Sequence, residues 1–271
     1  MIWEATVPPI SSATISVRYR LGHLRAASFG KKEILGAGIG LGQQAARAAF
    51  GELIERRYFS AGSWREQMAP VGTLLEPRYE SLRKALEQMR CSVGAIPQLE
   101  EQQIPWVSCS NLLGGPSVAV PSALVFHRDA GKLERAVVAT SDSSACSYHQ
   151  SLELALGNAY DEFTERQCML AAWYGAKPEA TWQLSRRDVA AIGDSDDSLN
   201  ELVEHGELIL ADVSQGLGRY AVVAGFFSQA GYRGVKYSVG AAASCSPRIA
   251  ARRALSELLL SMNAMDSRSV S

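Results

Sequence analysis

Three strand-like segments followed by one long helical segment make up the last quarter of the chain, and they constrain its fold most. The segments ELILADV (207–213), RYAVVAGFF (219–227) and VKYSVG (235–240) are rich in β-branched and aromatic residues, and PRIAARRALSELLLSM (247–262) has the apolar spacing of a helix. Strands and helices of this kind stabilise each other by burying their apolar sides in a shared core. We therefore expect an α/β (α+β) fold with mixed sheets.

Helical and extended patterns alternate along the rest of the chain as well. In chain order the patterns predict a strand at 14–20, a helix opened by the glycine-rich stretch GAGIGLG (36–42) that runs to about Phe59, a helix at 76–89, strands in PWVSCSNLLGGP, VAVPSALVF and RAVVAT, a helix from about Ser147 to Trp173, and helical structure at 184–206. No low-complexity linker divides these elements. We expect a single domain over 1–271, with its core at about 30–262 and a disordered tail at 263–271.

Composition gives no support for some kinds of partner. The 271 residues carry a net charge of −1, so no basic face indicates nucleic acid, and no apolar run approaches the length of a membrane span. The N-terminus lacks the pattern of a secretory signal. The five cysteines contain no C-x-x-C pair, which favours free thiols in a cytoplasmic protein over a zinc site.

The sequence E-x-x-E-R occurs twice, about a hundred residues apart, each time within a predicted helix. The two copies are Glu52, Glu55 and Arg56, and Glu162, Glu165 and Arg166. Residues three apart share one face of a helix, so each copy presents two carboxylates side by side. A solvated helix face with neighbouring arginines would explain a single copy. The apolar surroundings of the first copy favour a functional site instead.

A third acidic position lies in the closing helix, where Glu257 follows Arg253 by one turn within an alanine- and leucine-rich segment. If the three helices converge, about five carboxylates share one pocket, and like charges at close range cannot all ionise unless cations join them. Mg²⁺ prefers such oxygen ligands, and it often binds together with substrate phosphates, which arginines can also contact. These residue types predict a magnesium–nucleotide site. No P-loop sequence is present, and no Ser-His-Asp or Cys-His site can be assembled from the four histidines.

In order and spacing these motifs resemble the YcaO family over roughly residues 30–262. The resemblance rests on GAGIGLGQQAARAAFGELIER, PWVSCSNLLGGPSVAVPSALVF, SDSSACSYHQSLELALGNAYDEFTERQ and GAAASCSPRIAARRALSELL. It implies a YcaO-like domain whose helices converge on an ATP and Mg²⁺ site. The implied metal ligands are Glu52, Glu55, Glu162, Glu165 and Glu257, and the implied ATP-binding residues are Arg56, Asp142, Arg166 and Arg253.

The resemblance also implies an activity. Family members use ATP to phosphorylate a peptide-bond oxygen after a nucleophile attacks the amide carbon, because the amide oxygen is otherwise a very poor leaving group. A neighbouring Cys, Ser or Thr gives an azoline, which is the expected product here, and sulfide gives a thioamide. The expected partners are a precursor peptide and a leader-peptide-binding or TfuA-like protein, in a homo- or hetero-oligomer.

Several positions depart from the family pattern. The lysine of the family's G-K-G turn is Ala37, the serine of the first motif is Ala49, the usual asparagine is replaced around Asp142, and Gln167 and Leu260 replace an aspartate and a glutamine. These departures leave open a second interpretation, a nucleotide-binding partner subunit without its own turnover. No individual catalytic residue is predicted.

Overall fold

A computed structural model describes nine stretches of the chain, residues 24–29, 34–39, 43–60, 66–88, 96–111, 114–126, 132–137, 146–192 and 197–268. The strand predicted at 14–20 and the predicted site residue Asp142 lie outside these stretches.

The described stretches contain helices α1 to α8 and strands β1 to β9. In chain order they are β1 (Leu24–Phe29), β2 (Ile34–Ile39), α1 (Gln43–Ser60), β3 (Gln67–Pro70), α2 (Glu80–Gln88), α3 (Ile96–Leu99), β4 (Gln103–Cys109), β5 (Val118–Pro121), α4 (Lys132–Val137), α5 (Leu152–Trp173), β6 (Ala180–Gln183), α6 (Arg186–Ile192), α7 (Asp197–His205), β7 (Glu207–Asp212), β8 (Tyr220–Tyr232), β9 (Val235–Ser244) and α8 (Pro247–Arg268). The strands pair as β1-β2, β3-β4-β5 and β6-β7-β8-β9, and every pairing is antiparallel. The α/β class is confirmed. None of the described helices is long and apolar enough to cross a membrane.

The chain forms two compact units. The described residues of the first unit lie between Glu55 and Val137, and those of the second unit lie within 24–54 and 146–268. Helix α1 passes through the boundary between Ile54 and Glu55. The single domain expected from the sequence stays a prediction.

The second unit is built around the four-stranded sheet. Alternate residues of β8 point to opposite faces, as the pleat of a strand requires. Val222, Ala224 and Phe226 pack in one core with α6, α7 and α8, whereas Ala221 and Val223 pack in another with α5. Helices α5 and α8 therefore cover opposite faces, and both contact the edge strand β9.

Helix α8 packs very closely on β9. Its buried residues Ala250, Ala254 and Leu258 recur at four-residue intervals, which places them on one face of the helix. Opposite them in β9 stands Gly240, where a Cβ atom would overlap the backbone of Ala254 and Leu258. The absent side chain therefore lets the helix backbone lie directly on the sheet.

The first unit has its own apolar core, to which α2, α3, β4, α4 and the neighbouring turns contribute buried residues. Trp106 of β4 is buried, donates a hydrogen bond from Nε1 to the Ala69 carbonyl at 3.1 Å, and meets the Tyr79 ring edge-on at 5.6 Å. The indole thus satisfies its one donor while its ring fills the core.

The structure confirms most predicted elements and corrects several. RAVVAT, predicted as a strand, is helical in α4 as far as Val137, because Glu134 and Val137 are buried three residues apart on one helix face. In VAVPSALVF the strand ends at Pro121, which cannot donate to a sheet, and a 3₁₀ turn follows. The first four residues of GAGIGLG belong to β2, and α1 begins only at Gln43. The closing helix continues to Arg268, well into the predicted tail.

Candidate functional site

Helix α5 carries the second E-x-x-E-R. The helix begins at the cap residue Ser151, and its buried residues Thr164 and Cys168 lie on the side that faces the sheet. Glu162 and Glu165 lie beside this buried face, with 24% and 17% of their side chains exposed. Arg166 lies 3.8 Å from a carboxylate oxygen of each. As predicted, this motif places two carboxylates beside one arginine.

The carboxyl group of Glu165 is in an unfavourable place for a negative charge. Burial raises its pKa to about 7; Arg166 opposes this rise, whereas the like charges of Glu257 and Glu162 add to it. Three carboxylates from two helices thus influence one another, and the most buried of them, Glu165, titrates near neutral pH. A cation bound beside Glu165 would remove this penalty.

Helix α8 supplies the other part of the site. Pro247 occupies its first position, where a missing N–H costs nothing. Arg253 and Glu257 each immediately precede a sheet-facing residue, Ala254 and Leu258, so they lie on an adjacent, exposed side of the helix from which Arg253 reaches α5. The sequence places this pair among apolar residues. In the structure those apolar residues are buried, whereas Arg253 and Glu257 are exposed.

Asp161, which the sequence analysis missed, connects the two helices. Its carboxylate accepts a hydrogen bond from Arg219 Nε at 2.7 Å and another from Arg253 Nη1 at 3.4 Å. The side chain of Asp161 is only 17% exposed. Its position one turn before Glu165 on the same helix face was the available signal.

Arg219, which was also not predicted from the sequence, is fixed by several contacts. Its Cζ atom lies 5.0 Å above the centre of the Tyr160 ring, and its Nη1 donates to the Gly218 carbonyl at 3.1 Å. The Tyr160 hydroxyl in turn donates to the Leu217 carbonyl at 2.9 Å. Gly216 and Gly218 have φ angles of 70° and 69°, so the turn before β8 uses backbone conformations that favour glycine.

Glu52, Glu55 and Arg56 lie on helix α1. Both glutamates are half-buried on the shared face that the sequence predicted, and Arg56 is exposed. All three residues have interaction partners. Their place in a common site with the residues of α5 and α8 stays a prediction, as does that of Asp142.

The donor chemistry around Glu165 suits Mg²⁺. Within the described residues no three His, Cys, Asp or Glu side chains are already gathered closely enough to hold a metal ion. Carboxylate oxygens are nevertheless the ligands that Mg²⁺ prefers, and Mg²⁺ usually keeps several waters and shares substrate phosphates. Glu162 and Glu165 are largely buried beside Arg166, and a bound cation would offset the repulsion between them and Glu257.

Comparison with known proteins identifies the family. Residues 37–270 match the family described as YcaO cyclodehydratase with ATP and Mg²⁺ binding. The chain belongs to the YcaO family. This confirms the resemblance inferred from the motifs, and the expected cofactors, ATP and Mg²⁺, are those of the family description.

Individual relatives agree with this assignment. The microcin B17-processing protein McbD of Escherichia coli is 25% identical over 215 residues, which cover 72% of this chain and 49% of McbD. The E. coli microcin synthetase McbBCD complex with pro-MccB17 bound contains a chain with a TM-score of 0.78 and 18% identity, with coverage of 98% of this chain and 68% of that one. YcaO from Methanopyrus kandleri, solved with AMPPCP and Mg²⁺, has a TM-score of 0.62 and 20% identity, with coverage of 95% and 63%.

The solved structures and McbD support different conclusions about this chain. The two solved structures, at 20% identity or less, show the shared fold. The chain spans about half the length of McbD.

Proposed function

We propose that this YcaO protein uses ATP and Mg²⁺ to activate backbone amides of a ribosomally made peptide and converts Cys, Ser or Thr residues into azolines. The observation that carries the proposal is the group around Glu165, in which α5 and α8 contribute three interacting carboxylates and two arginines. The family description and the likeness to McbD support the same activity.

The residues divide into two roles. Glu162, Glu165 and Glu257 would hold Mg²⁺, and the family motif adds Glu52 and Glu55. Positive side chains would bind the nucleotide phosphates and stabilise the charge that develops on the transferred group. In this proposal they are Arg166 and Arg253 from the described group, with Arg56 added by the motif. The motif also places Asp142 at the nucleotide, where a carboxylate would accept hydrogen bonds and would not pair with phosphate.

ATP supplies the phosphoryl group that turns the amide oxygen into a leaving group. A Cys, Ser or Thr side chain attacks the preceding carbonyl carbon, the carbonyl oxygen leaves as phosphate, and the ring closes with a C=N bond. One peptide loses one water for each ring, and one ATP becomes ADP and phosphate. The arginines and the metal site act on the phosphoryl group, so they serve this chemistry without touching the ring atoms.

The protein is expected to work with partners. The similar McbBCD assembly is a complex that has been solved with pro-MccB17 bound. By analogy, we propose that this chain acts in a hetero-oligomer on a precursor peptide, with a leader-peptide-binding or TfuA-like protein as partner. A homo-oligomer remains the alternative assembly.

One observation favours a second candidate function. Ala37, which lies in β2, occupies the position of the family's G-K-G lysine. A chain without this cation could bind nucleotide as a partner subunit and leave turnover to another protein.

The test is product mass. The protein, a candidate partner and a Cys-, Ser- or Thr-rich precursor peptide are incubated with MgATP, with and without sulfide, and the peptide is weighed. Loss of one water per ring without sulfide is the expected result. A sulfide-dependent gain in mass would instead establish thioamidation, and ATP binding without any change in peptide mass would establish the partner-subunit function.

A further inference from the structure

Asp161 holds two arginines that differ in how firmly they are fixed. Arg219 bonds Asp161 Oδ1 at 2.7 Å, stacks on Tyr160 and is 28% exposed. Arg253 bonds the other oxygen at 3.4 Å and is 48% exposed. The first pair is thus short and supported on several sides, whereas the second is long and open to solvent, where ion pairs are weak and easily exchanged.

The formal charges of this trio decide what Arg253 can offer to an anion. With Asp161 between two guanidinium groups, the trio keeps one positive charge. If Arg219 were absent, Asp161 and Arg253 would form a neutral pair, and a phosphate would have to compete with the Asp161 carboxylate for the same guanidinium. Because Asp161 is mostly buried, its charge would be poorly screened by water.

We propose that Arg219 is a positioning residue of the nucleotide site: by neutralising Asp161 it leaves Arg253 available for phosphate. This inference rests on the proposed function, in which Arg253 binds phosphate. Arg219 itself is occupied by Asp161, Tyr160 and the Gly218 carbonyl, so it acts through Asp161 and not on the nucleotide. The Asp161–Arg219 pair therefore adjusts the affinity of Arg253 for an anion without contacting the anion itself.

The proposal predicts a loss of binding and its rescue. In Arg219→Gln, the affinity for tripolyphosphate and for MgATP should fall by about fivefold or more, because Asp161 now neutralises Arg253. In the double variant Arg219→Gln/Asp161→Asn, the competing carboxylate is gone and affinity should return to within about twofold of wild type. The matched control is Arg233→Gln, which removes an arginine from another carboxylate pair, Arg233–Glu201 at 3.3 Å.

Calorimetry with two probes, inorganic tripolyphosphate without magnesium and MgATP, measures these affinities, and urea unfolding measures stability. The double variant should bind like wild type although it stays less stable than wild type, because it lacks both ion pairs of Asp161; a merely structural role cannot give this combination. An unchanged affinity in Arg219→Gln, or a loss that Asp161→Asn does not rescue, would overturn the inference.

The two probes also separate this inference from the proposed function. Arg219-dependent binding of tripolyphosphate with no binding of MgATP would leave the inference standing and refute the proposed function. MgATP binding that is unchanged in Arg219→Gln would refute the inference and leave the proposed function standing. If wild type binds neither probe, both fail.

Discussion

Gly240 of β9 lies directly against the backbone of Leu258 in α8, with no side chain between strand and helix. A Cβ atom at Gly240 would meet backbone atoms of Ala254, Glu257 and Leu258, and Arg253 immediately precedes Ala254. The position of both charged side chains is therefore set by one close approach between a glycine and a helix.

Replacing that glycine should damage both stability and the site. In Gly240→Ala the added methyl group overlaps helix backbone, which cannot rotate away, and overpacking of this kind costs about 1–3 kcal/mol. We expect a lower midpoint of urea unfolding and weaker MgATP binding by the folded fraction, because α8 must shift.

Gly157→Ala is the matched control. Gly157 lies inside α5, where a Cβ atom would meet nothing within 4 Å, and alanine favours a helix interior over glycine by roughly 0.5–1 kcal/mol. This variant should gain stability. Equal destabilisation by both substitutions would contradict the close packing at Gly240.

Glu165 should make stability depend on pH in a defined window. Its pKa is about 7 in the folded protein, above the ordinary 4.5, so between these values the folded state holds a proton that the unfolded state releases. The contribution of Glu165 to the free energy of unfolding is therefore greatest below pH 4.5. It falls as the pH rises towards 7, by at most about 3 kcal/mol. Glu165→Gln should lack this slope, which urea unfolding at several pH values would detect as a stability difference that grows with pH. A difference that stays constant from pH 5 to pH 8 would contradict the raised pKa.

The same group should make metal binding depend on pH. A metal ligand must be deprotonated, so MgATP affinity should increase from pH 6 to pH 8 as Glu165 loses its proton. Calorimetry across this range, compared with ATP alone, isolates the metal-dependent part. Affinity that stays flat or declines over this range would show that Glu165 is not a ligand.

Arg253 and its neighbour Arg252 allow a controlled test of phosphate binding. Both are exposed residues of α8, but Arg253 reaches Asp161 of α5, whereas Arg252 lies one position away on the helix. Arg253→Ala should weaken MgATP binding about tenfold, the scale of a partly exposed charge-assisted hydrogen bond, and Arg252→Ala should not. Equal effects would indicate general electrostatic attraction, and no effect of Arg253→Ala would place phosphate elsewhere.

The sequence predicted the fold well where periodicity was long. The closing strands follow from their β-branched and aromatic content, and the helix that carries Glu257 follows from apolar spacing, because its buried residues share one face. The strand predicted for RAVVAT was wrong because its valine and threonine residues favour β structure in the sequence. The segment is helical as far as Val137, and the buried helix face with Glu134 and Val137 is defined only by the packing around it.

The site was predictable in part for a similar reason. Glu162, Glu165 and Arg166 share one helix, so their spacing fixes their proximity. Asp161 and Arg219 are 58 residues apart and meet only because α5 packs beside the start of β8. A pairing of this kind depends on tertiary structure, which local sequence patterns do not encode.

The central claim is that the carboxylates around Glu165 bind Mg²⁺ together with ATP. It is tested most directly by calorimetry of ATP binding with and without Mg²⁺ in wild type, in Glu165→Ala and in the control Glu153→Ala, which alters an exposed residue in the first turn of α5. We predict that Mg²⁺ strengthens ATP binding by at least about tenfold, the scale on which even outer-shell partners of metal ligands act, in wild type and in the control. In Glu165→Ala this gain should disappear. Equal ATP affinity with and without Mg²⁺ in wild type, or an undiminished gain in Glu165→Ala, would contradict the claim.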